Sequence, residues 1–412
     1  MKRMAMLAVA VALFATACGA GTSSGSAEET TTAPPDTQTT VDQETTITTP
    51  AAQGVLPDGP SALRARDSAE FPEPLIPLDE IISGGPPPDG IPPIDEPVFL
   101  PVAENLDILD PAEPVVALEI DGDARAYPIR AMVWHEIVND VVGGIPVSVT
   151  YCPLCNSAAT YIREINGVET TFGTSGSLFA SALVMYDRAT ESLWTHFDGR
   201  AVVGLLTGTQ LESIPSPLLA WGDFRESYPT GQVLDWTQTG HRRDYGRNPY
   251  IGYDDPDTSP FLFRGTVDDR ARAKQRVVGV AIGDTATAFT LGAVSGGEAR
   301  ATNTSVGDQP IVILWKAGQS SALDAIDQIT GQDVGSVGVF DPVVDDEVLT
   351  FAADGERFVD AQTSSTWTIS GEAIDGPLSG TQLERLAHLD TFWFAWATYQ
   401  PDTTFVEEAG GR

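Results

Sequence analysis

Basic residues and cysteines are scarce in this chain of 412 residues. Lysine and arginine number 23 against 58 aspartates and glutamates, so the formal net charge is −35. Such a chain repels polyanions, which disfavours nucleic acid and anionic lipid as partners. With only three cysteines, a closed zinc site built from four cysteine ligands is excluded. Beyond the N-terminus there is no run of about 18 apolar residues, so we expect no other segment to cross a membrane.

The N-terminus has the features of a bacterial export signal. Two basic residues precede the apolar run 4–14, and small residues then lead to Cys18. The run is too short for a permanent membrane helix, and a cysteine after small residues is typical of a lipoprotein box. We therefore predict a signal peptide at 1–18 and lipidation of Cys18, with ordinary secretion as the alternative. The protein would then lie at the extracytoplasmic face of the cell envelope, touching the membrane only through its lipid.

Two segments of biased composition follow the signal. Residues 19–57 are mostly Thr, Ser, Ala, Pro, Gly and acids, and they cannot bury enough apolar surface to offset the entropy of ordering. We expect a disordered tether there. Residues 58–112 are dense in Pro and Gly but contain scattered Leu, Ile and Phe, which predicts an extended lead-in wrapped on a domain.

The remaining chain repeats itself. The sequence Gly-Thr-Gln-Leu-Glu at 208–212 recurs at 380–384, and Trp221 recurs as Trp393 with the same spacing. Such self-similarity indicates a duplicated structural unit. The predicted boundaries are 113–235 for repeat 1, 236–274 for a connecting loop and 275–407 for repeat 2.

Each copy is dominated by patterns typical of short strands. The pair Asn166-Gly167 between β-branched runs is a strong hairpin signal. Helical patterns are few. We therefore predict a mainly β fold (α+β, β-rich) made of two tandem homologous domains with few short helices. The predicted elements are strands at 115–120, 124–129, 147–151, 158–165 and 169–173 and helices at 218–226 and 391–399.

The reactive residues occur only in the first copy. Cys152 and Cys155 align with Lys316 and Gln319 of the second copy, and His135 has no histidine counterpart there. Residues held by both copies are expected to form the scaffold. Reactive residues present in one copy are therefore the candidates for function.

A Cys-x-x-Cys pair in a turn that contains proline resembles half of a metal knuckle. With His135 as a third ligand beside Cys152 and Cys155, one coordination position would stay open, which suits catalytic zinc or a soft ion such as Cu(I). The leading prediction is one Cu or Zn ion bound by these three residues, for metal handling or redox chemistry. Four further residues are predicted to orient the ligands or act as bases: Glu136, Asp140, Asp187 and His196.

Two alternatives stay open. An exported protein occupies a compartment where disulfides persist, so Cys152 and Cys155 could instead form a thiol–disulfide oxidoreductase. The chain after Cys155 favours a strand, whereas a thioredoxin-type pair opens a helix. The other alternative is a binding module for a carbohydrate or peptide in which the two cysteines form an inert structural disulfide.

Several motifs together resemble the bacterial and archaeal domain-of-unknown-function 3179 family. The resemblance covers about 75–407 and implies that both copies belong to the family's architecture and that His135, Cys152 and Cys155 are usual members of it. It implies no activity. The motifs are Gly84-Gly85-Pro86-Pro87, His135-Glu136-Ile137-Val138-Asn139-Asp140, Tyr151-Cys152-Pro153-Leu154-Cys155, Met185-Tyr186-Asp187-Arg188, Asp244-Tyr245-Gly246-Arg247 and Phe392-Trp393-Phe394-Ala395-Trp396.

Overall fold

Short runs of β-branched and aromatic residues, each bounded by a turn, form most of the structure. The computed structural model describes residues 56–407. The predicted signal peptide, Cys18 and the predicted tether up to residue 55 lie outside the described residues. The mainly β class is confirmed, since strands far outnumber the four short helices among the described residues.

The first half of the described chain contains sixteen strands and two helices. In chain order they are β1 (Ile82–Ser83), β2 (Phe99–Pro101), β3 (Pro114–Ile120), β4 (Asp123–Pro128), α1 (Ile129–His135), β5 (Ile137–Val142), β6 (Ile145–Cys152), β7 (Ser157–Ile162), β8 (Glu164–Ile165), β9 (Val168–Glu169), β10 (Phe172–Phe179), β11 (Ala182–Asp187), β12 (Leu193–Thr195), β13 (Ala201–Val203), β14 (Ser213–Ile214), β15 (Leu218–Ala220), α2 (Trp221–Ser227) and β16 (Gln232–Leu234).

The second half follows after the connecting loop. Its elements are β17 (Arg276–Ile282), β18 (Thr285–Thr290), α3 (Leu291–Val294), β19 (Ala299–Val306), β20 (Gln309–Lys316), β21 (Ser336–Asp341), β22 (Val343–Val344), β23 (Glu347–Val348), β24 (Phe351–Asp354), β25 (Arg357–Asp360), β26 (Thr366–Trp367), β27 (Ala373–Asp375), β28 (Glu384–Arg385), β29 (His388–Phe392), α4 (Trp393–Tyr399) and β30 (Thr404–Val406).

Three sheets in each half follow the same plan. The first half has sheets ordered β15-β3-β4-β16-β2, β14-β7-β6-β5 and β1-β10-β11-β12-β13, and the second has β29-β17-β18-β30, β19-β20-β21-β28 and β24-β25-β26-β27. In both halves the last strand pairs in parallel with the second strand of the first hairpin: β16 with β4, and β30 with β18. The described residues fall within one compact unit, and the division into two tandem domains stays a prediction.

The strands predicted at 115–120, 124–129 and 147–151 agree with β3, β4 and β6 to within two residues, whereas the run 158–165 is divided between β7 and β8 and the run 169–173 between β9 and β10. The Asn166-Gly167 hairpin is confirmed: it joins β8 to β9, and both residues have positive φ, at 53° and 77°. The two predicted helices begin at Trp221 and Trp393, which is two or three residues after their predicted starts. The reason is that the preceding residues pair as strands β15 and β29. Helix α1 was not predicted, since it has only seven residues and is buried along most of its length.

The lead-in runs as extended chain across the first half. Strand β1 pairs with β10, and β2 pairs with β16. Between them, Ile94 accepts a hydrogen bond from Asn139 and donates one to the carbonyl of Ile137. None of the helices within 56–407 is long and apolar enough to cross a membrane.

One polar turn occurs in both halves with the same hydrogen bonds. The carboxylate of Asp187 accepts from the backbone and hydroxyl of Thr190, from the backbone of Ser192 and from the indole of Trp194. In the second half, Asp360 has the equivalent four bonds to Thr363, Ser365 and Trp367. A buried carboxylate with four donors fixes the turn and the indole above it.

The two aspartates can be compared directly. We expect Asp187→Asn and Asp360→Asn each to lower the free energy of unfolding by about 2 kcal/mol, because each change removes a charged acceptor from buried donors. Urea denaturation measures the loss. Asp308→Asn, at an exposed position between β19 and β20, serves as the control and should change stability by less than about 0.5 kcal/mol. A loss confined to one half would contradict an equivalent role for the two turns.

Candidate functional site

The two thiols lie at a tight turn between adjacent strands. Strand β6 ends at Cys152 and β7 begins at Ser157, which is its register partner. Asn156 completes the turn with a positive φ of 50°, and its side-chain oxygen accepts a hydrogen bond from the Tyr151 hydroxyl at 3.1 Å. Both cysteines are free and buried. The turn therefore presents two reduced sulfurs inside the protein.

The environment of Cys155 keeps this thiol protonated. Burial raises the pKa of Cys155 well above its usual value, the neighbouring Cys152 raises it further, and the Ser157 hydroxyl acts in the opposite direction. That hydroxyl lies 3.3 Å from the Cys155 sulfur. A thiolate in this position therefore depends on a local acceptor for its proton.

A chain of hydrogen bonds leads from Cys155 to a buried histidine. The Ser157 hydroxyl lies 3.0 Å from Nε2 of His196, and Nδ1 of His196 lies 2.9 Å from the Thr150 hydroxyl. Burial lowers the pKa of His196 to about 4, so its ring is neutral at neutral pH.

The number of protons on each group decides which partner donates in this series of hydrogen bonds. Thr150 donates its only hydroxyl proton to the carbonyl of Ala159 at 2.6 Å, so Nδ1 of His196 must donate to Thr150. The neutral ring then accepts at Nε2, so the single proton of the Ser157 hydroxyl has two acceptors, Nε2 of His196 at 3.0 Å and the Cys155 sulfur at 3.3 Å. His196 is thereby placed to take a proton from Cys155 through Ser157.

Glu136 is the second titratable group near the thiols. It follows α1 with a φ of 60°, in the left-handed region that a non-glycine residue rarely adopts. Its carboxyl has no hydrogen-bond partner among the described residues, and only 7% of the residue is exposed. Burial raises the pKa of Glu136 to about 8, so the carboxyl is mostly protonated at neutral pH.

A cleft of about 270 Å³ opens beside Glu136, and we name it the Glu136 cleft. Its walls come from the lead-in, the thiol turn, strands β10 and β11, and the connecting loop. Most of the lining side chains are apolar or aromatic. They include Ile91, Leu154, Leu178, Leu183, Tyr250 and Tyr253. Burial and, to a lesser extent, the thiols raise the pKa of Tyr250 and Tyr253, and Glu136 adds to the effect of burial in raising the pKa of Cys155. Leu154, which lies between the two cysteines, lines the cleft, so the cleft adjoins the thiol turn.

The connecting loop and the second half complete this site. Tyr250 and Tyr253 belong to the loop, and residues of β29 close over the thiol turn: Thr391 donates its hydroxyl to the Cys155 carbonyl at 2.7 Å, and Phe392 donates its backbone N–H to the same oxygen. The sequence motifs did not single out Ser157, Thr150 or these tyrosines. The only signal for the tyrosines was the aromatic content of the loop.

His135 lies at the end of α1, where both ring nitrogens are engaged. Nδ1 donates to the Pro92 carbonyl at 2.7 Å, so Nε2 accepts from the Tyr245 hydroxyl, also at 2.7 Å. Burial lowers the pKa of His135 to about 4. Within residues 56–407, no three His, Cys, Asp or Glu side chains form a group that could hold a metal ion. The metal set of His135, Cys152 and Cys155 stays a prediction.

The remaining candidates lie in separate contacts. Asp140 forms a salt bridge with Arg125 and accepts from the Tyr127 hydroxyl. Asp187 holds the turn described above. Of the four residues predicted to support the site, the structure thus connects His196 to Cys155 by hydrogen bonds and brings Glu136 beside the thiols.

The equivalent position in the second half contains a salt bridge. Lys316 at the end of β20 binds Asp223 of α2 at 2.7 Å, and Ser336 at the start of β21 donates to the same carboxylate. The 19-residue segment 317–335 replaces the short thiol turn. The second copy therefore uses this position to join the halves.

The buried carboxyl of Glu136 makes the stability of the protein depend on pH, and comparison with Glu136→Gln isolates this dependence. The folded protein holds a proton on Glu136 up to about pH 8, whereas the unfolded chain releases it near pH 4.5, so wild-type stability falls as the pH rises between these values. We expect Glu136→Gln to match the wild type near pH 4.5 and to exceed it by about 4 kcal/mol above pH 8. Urea denaturation across this range measures the gap. Glu164→Gln, at an exposed glutamate, should show no such trend, and a pH-independent gap for Glu136→Gln would contradict the buried acid.

Comparison with known proteins gives one match. The model of the family described as "Protein of unknown function (DUF3179)" matches residues 88–403, which is more than half of the chain and includes the thiol turn, Glu136 and most of both halves. No curated protein and no solved structure was found to match. The chain therefore belongs to the DUF3179 family.

Proposed function

We propose that this protein is a thiol–disulfide oxidoreductase whose reactive pair is Cys152 and Cys155. The observation that carries the proposal is the pair of free, buried thiols with a hydrogen-bonded route from Cys155 through Ser157 to the neutral ring of His196. A purely structural pair has no need of a proton acceptor. The second half, which shares the scaffold, has neither sulfur.

The half-reaction converts two thiols into one disulfide and releases two electrons and two protons. With a small disulfide as the oxidant, Cys152 attacks one sulfur of that molecule and expels its partner as a thiol. Cys155 then gives its proton to His196 through Ser157, attacks Cys152 and expels the second thiol, which takes up the proton. Cys152 is assigned the first attack because burial holds the proton on Cys155.

Export would suit this chemistry. The leader predicted at 1–18 and lipidation at Cys18 would place the pair outside the cytoplasm, where disulfides persist. We keep both as proposals supported by the sequence pattern alone. The chemistry proposed for Cys152 and Cys155 does not depend on the lipid.

The redox proposal is tested on the full chain with Cys18→Ser, so that only the two site thiols remain. We expect hydroxyethyl disulfide to oxidise both thiols reversibly, with a potential between about −120 and −270 mV. With Cys155→Ser added, the reaction should stop at a mixed disulfide on Cys152. Thiol counting and intact-protein mass measure these products.

Two results would contradict the redox proposal. One is a pair that resists oxidation in the folded protein. The other is a disulfide with a potential below about −300 mV, which is typical of inert structural bonds.

Metal binding is the second candidate, and the proximity of two buried sulfur donors favours it. Thiolates select soft ions such as Cu(I), and His135 would need to release Tyr245 to act as a third ligand beside Cys152 and Cys155. Elemental analysis of protein purified without a metal-affinity tag decides this point. One equivalent of Cu or Zn that disappears with Cys152→Ser would support the metal site, and metal-free protein with two reactive thiols would reject it.

The proton route makes a separate prediction for the second step. We expect His196→Gln and Ser157→Ala to slow resolution of the mixed disulfide by about tenfold or more, with the first attack unchanged. In the wild type the rate should fall only as the pH drops through about 4, where His196 becomes protonated. In His196→Gln the rate should instead rise steadily with pH, because solvent hydroxide becomes the acceptor.

Stopped-flow kinetics with mass detection of the mixed disulfide measures this step. His241→Gln, which changes an exposed imidazole, is the matched control. An unchanged pH profile in His196→Gln would show that His196 only supports the structure.

A further inference from the structure

The burial of the thiols limits what can react with them. Cys152 is 1% exposed and Cys155 is fully buried, so a folded protein partner cannot reach either sulfur without opening of the turn. The Glu136 cleft adjoins the thiol turn, because Leu154 between the two cysteines lines it. Neither cysteine lines the cleft, and Leu154 separates it from the sulfurs, so a small molecule held there reaches the pair with a smaller opening of the turn than a protein partner needs.

The size of the cleft restricts that molecule to one or two rings. An apolar cavity of about 150 Å³ is known to bind benzene, and the Glu136 cleft has a volume of about 270 Å³. Its walls are mainly Leu, Ile, Pro, Phe and Tyr side chains, and Glu136 is the only carboxyl or basic side chain among the lining residues. Such a lining favours a flat, uncharged ligand.

Glu136 adds a polar requirement. The residue is 7% exposed and lines the cleft, and its carboxyl makes no hydrogen bond in the described part of the chain, so its oxygens face the cleft, where a ligand atom can bond them. A protonated carboxyl both donates and accepts. It can therefore bind a carbonyl oxygen and also the hydroxyl that forms when that carbonyl is reduced.

We infer that the Glu136 cleft binds an uncharged quinone, which oxidises the Cys152–Cys155 pair. This inference rests on the proposed redox function and names its electron acceptor. A quinone is flat, fits the volume and has a ring oxygen for Glu136. The two thiols lose two electrons and two protons and form the disulfide, and the quinone gains the same electrons and protons and becomes the hydroquinone. Glu136, hydrogen-bonded to the nearer oxygen, passes one of the two protons to it.

The test uses duroquinone, whose ring positions all carry methyl groups, so that it cannot add to thiols. The full chain with Cys18→Ser is reduced, freed of reductant and mixed with duroquinone without oxygen. We expect one hydroquinone per protein and the loss of both thiols. A benzoquinone of similar size that carries a sulfonate should react at least about tenfold more slowly, because its charge would lose hydration in the apolar cleft.

Two cleft-filling variants, one variant of Glu136 and one control locate the reaction. Leu183→Trp fills the cleft and should abolish duroquinone binding measured by calorimetry, with Leu178→Phe as a second filling variant if the first fails to fold. Glu136→Gln retains a donor for the quinone oxygen but cannot pass a proton, so we expect binding within about threefold of wild type and oxidation about tenfold slower or more. Glu164→Gln, outside the cleft, should behave as wild type.

The possible failures are distinguishable. If hydroxyethyl disulfide oxidises the pair but duroquinone neither binds nor reacts, or reacts equally in the cleft-filling variants, the quinone inference is wrong and the redox function stands. If neither oxidant forms the disulfide in the folded protein, both proposals are wrong.

Discussion

The site depends on two hydrogen bonds from the second half of the chain to one carbonyl of the first. Thr391 and Phe392 both donate to the Cys155 carbonyl, and this contact holds β29 over the thiol turn. The buried Arg276–Asp390 salt bridge anchors the same strand beside Tyr151. Closure by β29 excludes water from the sulfurs, and that exclusion raises the pKa of Cys155. The second copy therefore excludes water from a site whose reactive groups all belong to other parts of the chain.

The reciprocal contact shows what this interface requires. At the equivalent turn, Lys316 and Ser336 bind Asp223 of the first half, and Ser336 also accepts from the backbone of Ala220. Each half thus holds the start of one strand of the other half by hydrogen bonds. The first half holds β21, and the second half holds the turn that leads into β7. An ion pair suffices for that task in the second half. In the first half the Cys155 carbonyl makes the corresponding contact and the two sulfurs take no part in it.

The sequence predicted the strands well because their signals are local. Asn166-Gly167 forms its hairpin through the φ angles of two adjacent residues, and β3 and β4 are short runs of mostly apolar residues. The duplication also directed attention to Cys152 and Cys155. The residues that line the cleft could not be predicted, because Tyr250 reaches it from a loop nearly 100 residues beyond the thiol turn. The direction of the His135 ring could not be predicted either, because a one-dimensional motif does not fix the orientation of a side chain at the end of a seven-residue helix.

The contacts of His135 give the imidazole a role that needs no ion. Glu136 combines a left-handed backbone with a buried acid, and both features cost stability. They persist only if the end of α1 is held from outside. His135 does this by bonding Pro92 of the lead-in and Tyr245 of the connecting loop. In the second half, α3 ends at Val294 and the next residue, Ser295, is extended, with neither histidine nor buried acid. The imidazole and the strained acid therefore occur together, as expected if the first fixes the second at the mouth of the cleft.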